Sequence, residues 1–417
     1  MPKAAAPMMP FDDAIATMLA QVSASESSET VPLTQALDRI AAEDIVSPID
    51  VPGHDNSAMD GYAVKAGSAQ VGDELKVIGV AAAGHPFAKE LADGECVRIM
   101  TGATIPTGAD AIVIQENVTA NTEAETITIN QAATVGDNIR LQGADIKLGH
   151  AVIATGERLS PVDIGLLASL GVAEVNVKRK LTVAIFSTGD ELVAPGAPLE
   201  PGQIYDSNRY LIHAMLQRFN ADIIDLGRLP DDLGKIKDAL NEAVSQADAI
   251  ITSGGVSVGD ADHTKAALDA LGDVGFWKVA MKPGKPFAFG RIGAKQAENG
   301  AWFFGLPGNP VAAAVTMDQL VQPVLIQLAG QQPTASPVFN AAADEAFKKR
   351  PGRADFQRAT YWQDPQGQLK VKSAGSQSSG VLSTMKSANS FARLEQQRDG
   401  VAAGETVEVL PFSALLR

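Results

Sequence analysis

Residues 249–262 read Ala-Ile-Ile-Thr-Ser-Gly-Gly-Val-Ser-Val-Gly-Asp-Ala-Asp. A short apolar run rich in β-branched residues stops abruptly at small residues and is followed by two carboxylates. That is the pattern of a buried parallel strand running out into a ligand-holding loop at its carboxyl end. Gly254, Gly255 and Gly259 let the backbone approach a bulky ligand closely. Asp260 and Asp262 place negative charge where a metal or a cationic group would neutralise it.

Outward from this stretch the chain alternates in type. Strands are expected at 181–186, 222–226, 249–252, 276–280 and 287–289, and helices at 208–219, 233–246, 264–271 and 310–328. Strand–helix alternation implies a parallel sheet covered on both faces, with ligands at the carboxyl ends of its strands. On the N-terminal side the texture differs. Residues 48–148 hold short β-rich runs at 75–80, 96–100, 111–115 and 126–129, separated by Gly, Pro, Asn and Asp, which reads as a small all-β module. Ahead of it, Phe11, Ile15, Met18, Leu19 and Val22 form a helical stripe, and Thr34 is expected to cap a short helix reaching residue 41. Behind it, 151–153 is expected to be a strand, and Ser160 and Pro161 to start a helix that Gly171 ends. Residues 333–337 read as a linker, and 338–417 as a second small β module.

A chain of 417 residues suits two to four domains. Its net charge of −15 argues against nucleic acid, whose binding depends on neutralising phosphates with Lys and Arg, and against an anionic membrane surface. Cys96 is the single cysteine, which rules out a disulfide within the chain and a Cys-rich zinc site. The five histidines show no metal-ligand spacing. The first 13 residues hold too short an apolar patch for a signal peptide, and no run approaches the roughly 18–20 apolar residues of a membrane span. A cytoplasmic location is expected.

Residues 186–191, Phe-Ser-Thr-Gly-Asp-Glu, repeat the pattern of 252–262: apolar strand, hydroxyls, glycine, carboxylates. Two such loops, bearing Glu191 and Asp262, suit a shared oxygen-ligated cation of the magnesium type, and Asp231 and Asp232 follow a third strand. The plainer alternative is that these acids cap the helices that follow. Residues 282–286, Lys-Pro-Gly-Lys-Pro, present two ammonium groups on a proline-stiffened turn suited to an oxyanion. Residues 305–310, Gly-Leu-Pro-Gly-Asn-Pro, lead into a helix with Asn309 as its cap. Gly255-Val-Ser257-Val-Gly259 matches a nucleophile elbow, but a hydrolase needs a histidine well downstream, and His263 lies only six residues on. In the β module, 56–64 is dense in hydrogen-bonding side chains, and Thr101-Gly102 lies near Arg98.

Taken in order, residues 56–64, 99–103, 187–192, 252–262, 282–286 and 305–311 resemble the molybdopterin molybdenumtransferase family, which includes the bacterial MoeA proteins and the E domain of gephyrin. The resemblance runs from about Phe11 to Phe412. It implies a multidomain α/β plus β architecture: a central parallel α/β domain of the molybdopterin-binding type (179–330), a β module (48–148) inserted in a discontinuous linker domain (1–47 and 149–178), and a C-terminal β-barrel-like domain (335–417). The implied reaction is insertion of molybdenum from molybdate into adenylylated molybdopterin with a divalent cation such as magnesium, releasing AMP. A homodimer is implied, with the site shared between subunits, as are contacts with the adenylyltransferase and other cofactor-biosynthesis proteins.

Carried over by position, Glu191 and Asp262 would hold the cation, with Asp231 beside them at the adenylate. Lys282 and Lys285 would hold oxyanion, with Arg353 and Ser378 or Ser379 near the molybdate. Gly254, Gly255, Ser257, Pro307 and Pro310 would line the cofactor-binding loops. Asp60 and Thr101 would reach in from the partner subunit. Ala312 and Ala144 stand where many relatives have Ser and Glu. Two other functions fit the same resemblance: a non-catalytic scaffold that binds peptides, which would release no AMP, and the adenylyltransferase itself, which would demand ATP.

Overall fold

The computed structural model describes residues 8–255, 263–293, 300–333 and 336–417. Ser257, Gly259, Asp260, Asp262 and part of the expected linker therefore lie outside the described residues.

The central sheet has six strands in the order Asp222–Leu229, Thr182–Thr188, Ala249–Ser253, Ala301–Leu306, Pro286–Ile292, Gly272–Lys278. The first four run parallel; Pro286–Ile292 is antiparallel to both its neighbours, so Gly272–Lys278 runs in the direction of the first four. The sheet is therefore mixed where the sequence pattern implied a parallel one. The cause is the connection 279–285, too short for a crossover helix and long enough for a hairpin. Strand Ala301–Leu306 was absent from the expected set, yet it is buried throughout and lies in the middle of the sheet. Its Trp-Phe-Phe run packs Trp302 flat on Phe289, with ring centroids 5.2 Å apart.

Alternation along these strands sorts the core into two layers. Val183, Ile185, Ile251, Phe289 and Phe304 face one side with Ile212 and Leu216 of helix Ser207–Phe219 and the apolar residues of 310–328. Ala184, Phe186, Ile250, Ala288 and Phe303 face the other, with Ile236 and Leu240 of helix Leu233–Val244 and Leu268 of helix His263–Leu271. The long helix expected at 310–328 is Pro310–Thr316, a π-helical turn Met317–Val321, then Gln322–Leu328. Pro323 lacks the N–H that would bond to the carbonyl of residue 319, so the regular ladder cannot pass through it. Contrary to the hydropathy reading, this helix is long and apolar enough to cross a membrane by length and composition. Its apolar window is 72% buried inside the protein, as suits a core helix.

Helix Phe11–Leu19 belongs to the first of these core layers, and its Phe11 ring meets Phe356 at 5.0 Å. Strand Ser28–Pro32 pairs with Glu174–Lys178, and Ile45–Val46 with Ala151–Ile153. Thr34 caps no helix: it sits inside the three-residue 3₁₀ turn Leu33–Gln35, and the chain then turns away, with Asp38 at positive φ. Helix Pro161–Ser169 starts as expected. Ser160 and Asp163 exchange a capping box, and Gly171 follows at a φ of 76°. Between these paired segments a six-stranded sheet forms, in the order Ala111–Ile114, Gly61–Val64, Glu95–Ile99, Glu74–Ala81, Thr126–Ile129, Val118–Asn121.

The C-terminal strands Phe339–Ala343, Ala354–Gln363, Leu369–Ser373, Ser390–Leu394 and Thr406–Pro411 close into a barrel, because Ala354–Gln363 pairs with both Leu369–Ser373 and Ser390–Leu394. Closure leaves no free edge within the ring. The barrel is seated on the α/β sheet through backbone pairing of Met281 with Ala354 and of Lys282 with Asp355.

Candidate functional site

Strand direction decides where the chemistry collects. Thr182–Thr188, Asp222–Leu229, Ala249–Ser253 and Ala301–Leu306 all end at one edge of the sheet. Pro286–Ile292 runs the other way and starts there, and Gly272–Lys278, antiparallel to it, ends there again. The loops carrying Glu191, Asp231, Gly254 and Gly255, Lys282 and Lys285, and Pro307 and Pro310 therefore leave one common edge.

At that edge the glycines are needed for space. Gly254 has φ of 93°, and a Cβ on it would stand 2.9 Å from the Thr188 carbonyl oxygen. Its N–H donates to the Leu306 carbonyl at 3.1 Å. Gly255, at φ 65°, would drive a Cβ to 2.6 Å from Thr264 Oγ1. The three central strand ends are thus locked edge to edge with no room for a side chain. Gly189, at φ 143°, leaves room for the exposed Glu191, whose carboxylate folds back over it: a Cβ there would lie 2.6 Å from Oε2. Asp231 is exposed. Asp232 is a helix cap, accepting from the Lys235 amide at 2.9 Å, and those backbone bonds hold its carboxyl below the usual range. The capping alternative is right for Asp232.

Behind the loops lies a buried polar layer that the sequence pattern did not single out. Asn208 Nδ2 donates both to Ser253 Oγ and to the Gly308 carbonyl, each at 2.7 Å, and so clamps two of the glycine loops together. Its Oδ1 is buried without a hydrogen-bond partner, as is Thr252 Oγ1. Ser187 Oγ donates to Asp206 Oδ2 at 2.6 Å, and Arg209 ties Asp206 (3.0 Å) to Asp225 (2.5 Å). Asp206 also caps helix Ser207–Phe219, in whose first turn Asn208 lies. Nothing in its local pattern reveals the contacts with residues 253 and 308.

The proline-stiffened turn meets the barrel. Lys282 Nζ lies 3.1 Å from Asp355 Oδ2; Lys282 is 40% exposed and Asp355 only 4%. Gln357, also buried, donates to the same oxygen at 3.1 Å. Lys282 and Asp355, with Lys348, Lys349, Arg350 and Arg353, line a hollow of about 360 Å³. Lys349 is held structurally: its ammonium donates to the carbonyls of Arg350, Gln396 and Arg398 at 3.3, 3.1 and 2.7 Å. Desolvation lowers its pKa. Lys285 is exposed, and its carbonyl accepts from the Val279 amide at 2.9 Å.

Ser378 and Ser379 lie on a barrel loop fixed from beneath by the buried Arg358, which donates to the carbonyls of Ser376 (2.8 Å) and Ser378 (2.9 Å). The Ser379 carbonyl accepts from Val311 N at 3.0 Å, so this loop docks where helix Pro310–Thr316 begins. Pro307 there is buried and Pro310 half-buried. Asn309 makes no side-chain cap bond, which corrects the capping expectation; the barrel loop is its neighbour instead. Ala312 is buried against the core.

Asp60 and Thr101 come together on the inserted β sheet. Asp60 Oδ1 accepts from Thr101 N and Oγ1, both at 2.7 Å, and these bonds hold its carboxyl below the usual carboxylate range. The pairing of Gly61 with Ile99 brings them side by side. Gly61 is required: a Cβ there would lie 2.2 Å from the Val113 carbonyl oxygen. Arg98 stacks over Tyr62 at 4.9 Å.

Family models match nearly the whole chain: "MoeA N-terminal region (domain I and II)" over residues 9–171, "Probable molybdopterin binding domain" over 184–327, and "MoeA C-terminal region (domain IV)" over 340–412. The chain is 50% identical over 410 residues to a molybdopterin molybdenumtransferase of Haemophilus influenzae, covering 98% of this chain and 100% of that one. A Bacillus subtilis protein of the same name is 36% identical, with 96% and 94% covered. The crystal structure of the molybdopterin biosynthesis moeA protein of Pyrococcus horikoshii OT3 superposes with a TM-score of 0.83 at 29% identity, covering 97% of this chain and all of that one. This chain belongs to the molybdopterin molybdenumtransferase (MoeA) family.

Proposed function

We propose that the protein transfers molybdenum from molybdate to adenylylated molybdopterin with release of AMP. The observation that carries this reading is the convergence, at one sheet edge, of glycine loops, carboxylate loops and a cation-lined hollow. The glycines at 254 and 255 bring bare backbone to a bulky ligand. Molybdate and a pterin phosphate are both oxyanions, so a chain of net charge −15 has to gather its cations locally, as Lys282, Arg350 and Arg353 are gathered here. Lys282 and Lys285, on a turn with little entropy to lose, receive the anion; Arg353 offers a planar fork to its oxygens. Ser378 and Ser379, on the Arg358-braced loop, complete the molybdate end. Pro307 and Pro310 shape the wall next to Gly254 and Gly255.

Exposed carboxylates are the hard oxygen donors that magnesium takes, and Glu191 fits that role. Among the described residues no group of three or more His, Cys, Asp or Glu side chains forms a metal cluster. Glu191 with Asp262 would hold the ion, and Asp231 would meet the adenylate. When bound, a divalent cation neutralises charge on the phosphoanhydride. Ser257 would line the same loop.

Asp60 and Thr101 lie on a separate sheet, bonded to each other, and act from a second copy of the chain in a homodimer. Exposed apolar side chains beside each half support such an interface: Met59 next to Asp60, and Ile204, whose amide donates to the Glu191 carbonyl, with Tyr205 after it. The test is incubation with adenylylated molybdopterin, molybdate and magnesium. AMP release that depends on molybdate supports the reading; peptide binding without AMP release favours a scaffold, and a demand for ATP the adenylyltransferase.

A further inference from the structure

One group in the cation-lined hollow has the wrong sign for an oxyanion site. Asp355 is 4% exposed and lies at the wall among Lys282, Lys348, Lys349, Arg350 and Arg353. Its backbone is held in place as the register partner of Lys282, and the Ala354 amide donates to the Ala280 carbonyl at 2.8 Å. Its Oδ2 is engaged twice, by Lys282 Nζ and by Gln357 Nε2, each at 3.1 Å. Gln357 is anchored in turn to the Lys348 carbonyl at 2.9 Å. The carboxylate is therefore a fixed feature of the hollow, built in by two strands and a buried amide.

The remaining cations divide unequally. The Lys349 ammonium is spent on three carbonyls. Among the described residues, the side chains of Lys348, Arg350 and Arg353 make no hydrogen bond or ion pair. Lys282, on the turn that leads into strand Pro286–Ile292, already has a counter-ion in Asp355. An arriving dianion meets an ammonium whose charge is largely cancelled, beside a carboxylate that repels it.

We propose that Asp355 is an affinity-setting residue: a built-in competing anion that lowers the affinity of the hollow for small tetrahedral dianions, molybdate and sulfate alike. The inference rests on reading the hollow as the oxyanion site, and deepens it. Lys282 and Asp355 then act as a neutral pair. Lys282→Ala alone leaves the carboxylate bare and weakens anion binding; Asp355→Asn alone frees the ammonium and tightens it; the double variant returns close to the starting value. A purely structural pair gives no such rescue.

The experiment is calorimetric titration of the full-length protein with sodium sulfate and, separately, sodium molybdate at constant ionic strength. Asp355→Asn keeps the shape of the side chain and its bond from Gln357. It is expected to tighten sulfate by at least roughly three- to ten-fold, the range one unit charge a few ångströms away produces under water-like screening. Lys282→Ala is expected to weaken sulfate by a similar factor, and Lys282→Ala/Asp355→Asn to lie within about two-fold of wild type. Unchanged or weaker sulfate binding in Asp355→Asn overturns the proposal. So does a double variant as weak as Lys282→Ala, which also serves as the test if the single Asp355 variant fails to fold. If wild type and Arg353→Gln show no heat with either anion, the oxyanion reading of the hollow falls, and this proposal with it.

Discussion

Replacing Gly254 by alanine tests whether the glycine loops are held open by necessity. At φ 93° an alanine costs on the order of 1–2 kcal/mol from the clash of Cβ with its own backbone. The same Cβ would stand 2.9 Å from the Thr188 carbonyl oxygen, a backbone atom of the neighbouring strand end, so one strand end must move. Together these give a loss of about 2–4 kcal/mol, the range of a strained backbone substitution. Gly255→Ala is the internal control. Its φ of 65° carries the same backbone cost, but its closest new neighbour is Thr264 Oγ1, a side-chain atom that can change rotamer. A loss of about 1–2 kcal/mol is expected there. The assay is the thermal or urea unfolding midpoint of the three proteins, with AMP release measured alongside. Because Gly254 also donates to the Leu306 carbonyl, displacing it shifts two loops of the site, and activity is expected to fall further than stability. If Gly254→Ala unfolds within about 0.5 kcal/mol of wild type, the close approach of these strand ends is wrong.

Asn208→Ala removes the donors to Ser253 Oγ and the Gly308 carbonyl, and a stability loss of about 1–3 kcal/mol is expected by differential scanning calorimetry. No change would mean the two loops are not clamped through it. Phe356→Ala empties a fully buried position in contact with Phe11, at about 3–5 kcal/mol, and is expected to loosen the barrel from the α/β sheet in hydrogen exchange. Exchange confined to the barrel interior would contradict the shared core. The Asp60 carboxyl, held below its ordinary value of 3.8 by the Thr101 amide and hydroxyl, stabilises its loop at higher pH. That contribution is lost as pH falls through the lowered folded value. The Thr101 amide signal in NMR is expected to stay fixed down through the ordinary carboxylate range and to move below it; movement centred at or above 3.8 would refute the pairing.

The loops at the sheet edge were legible in the sequence because each pairs an apolar run with glycine and a charge, a local pattern. Helix Pro161–Ser169 was legible for the same reason, its capping box and Pro161 being local signals. What local pattern cannot carry is partnership across the chain. Asn208 reads as the first residue of an expected helix, and its role appears once Ser253 and Gly308, 45 and 100 residues away, are beside it. Asp355 is an unremarkable acid in a strand until Lys282 faces it. Strand Ala301–Leu306 leaves a weak local signal because it is six residues long, buried on both faces and so without alternation, and runs straight into a glycine-proline loop. The antiparallel sheet edge follows from one short connection, and alternation of strands and helices does not reveal it.

The most direct measurement is AMP released from adenylylated molybdopterin by the full-length protein, with and without molybdate. AMP appearing in step with molybdate, and lost in Glu191→Gln with its fold intact, is the expected result. AMP released equally without molybdate, or none at all from a protein that binds both substrates, would contradict molybdenum transfer at this sheet edge.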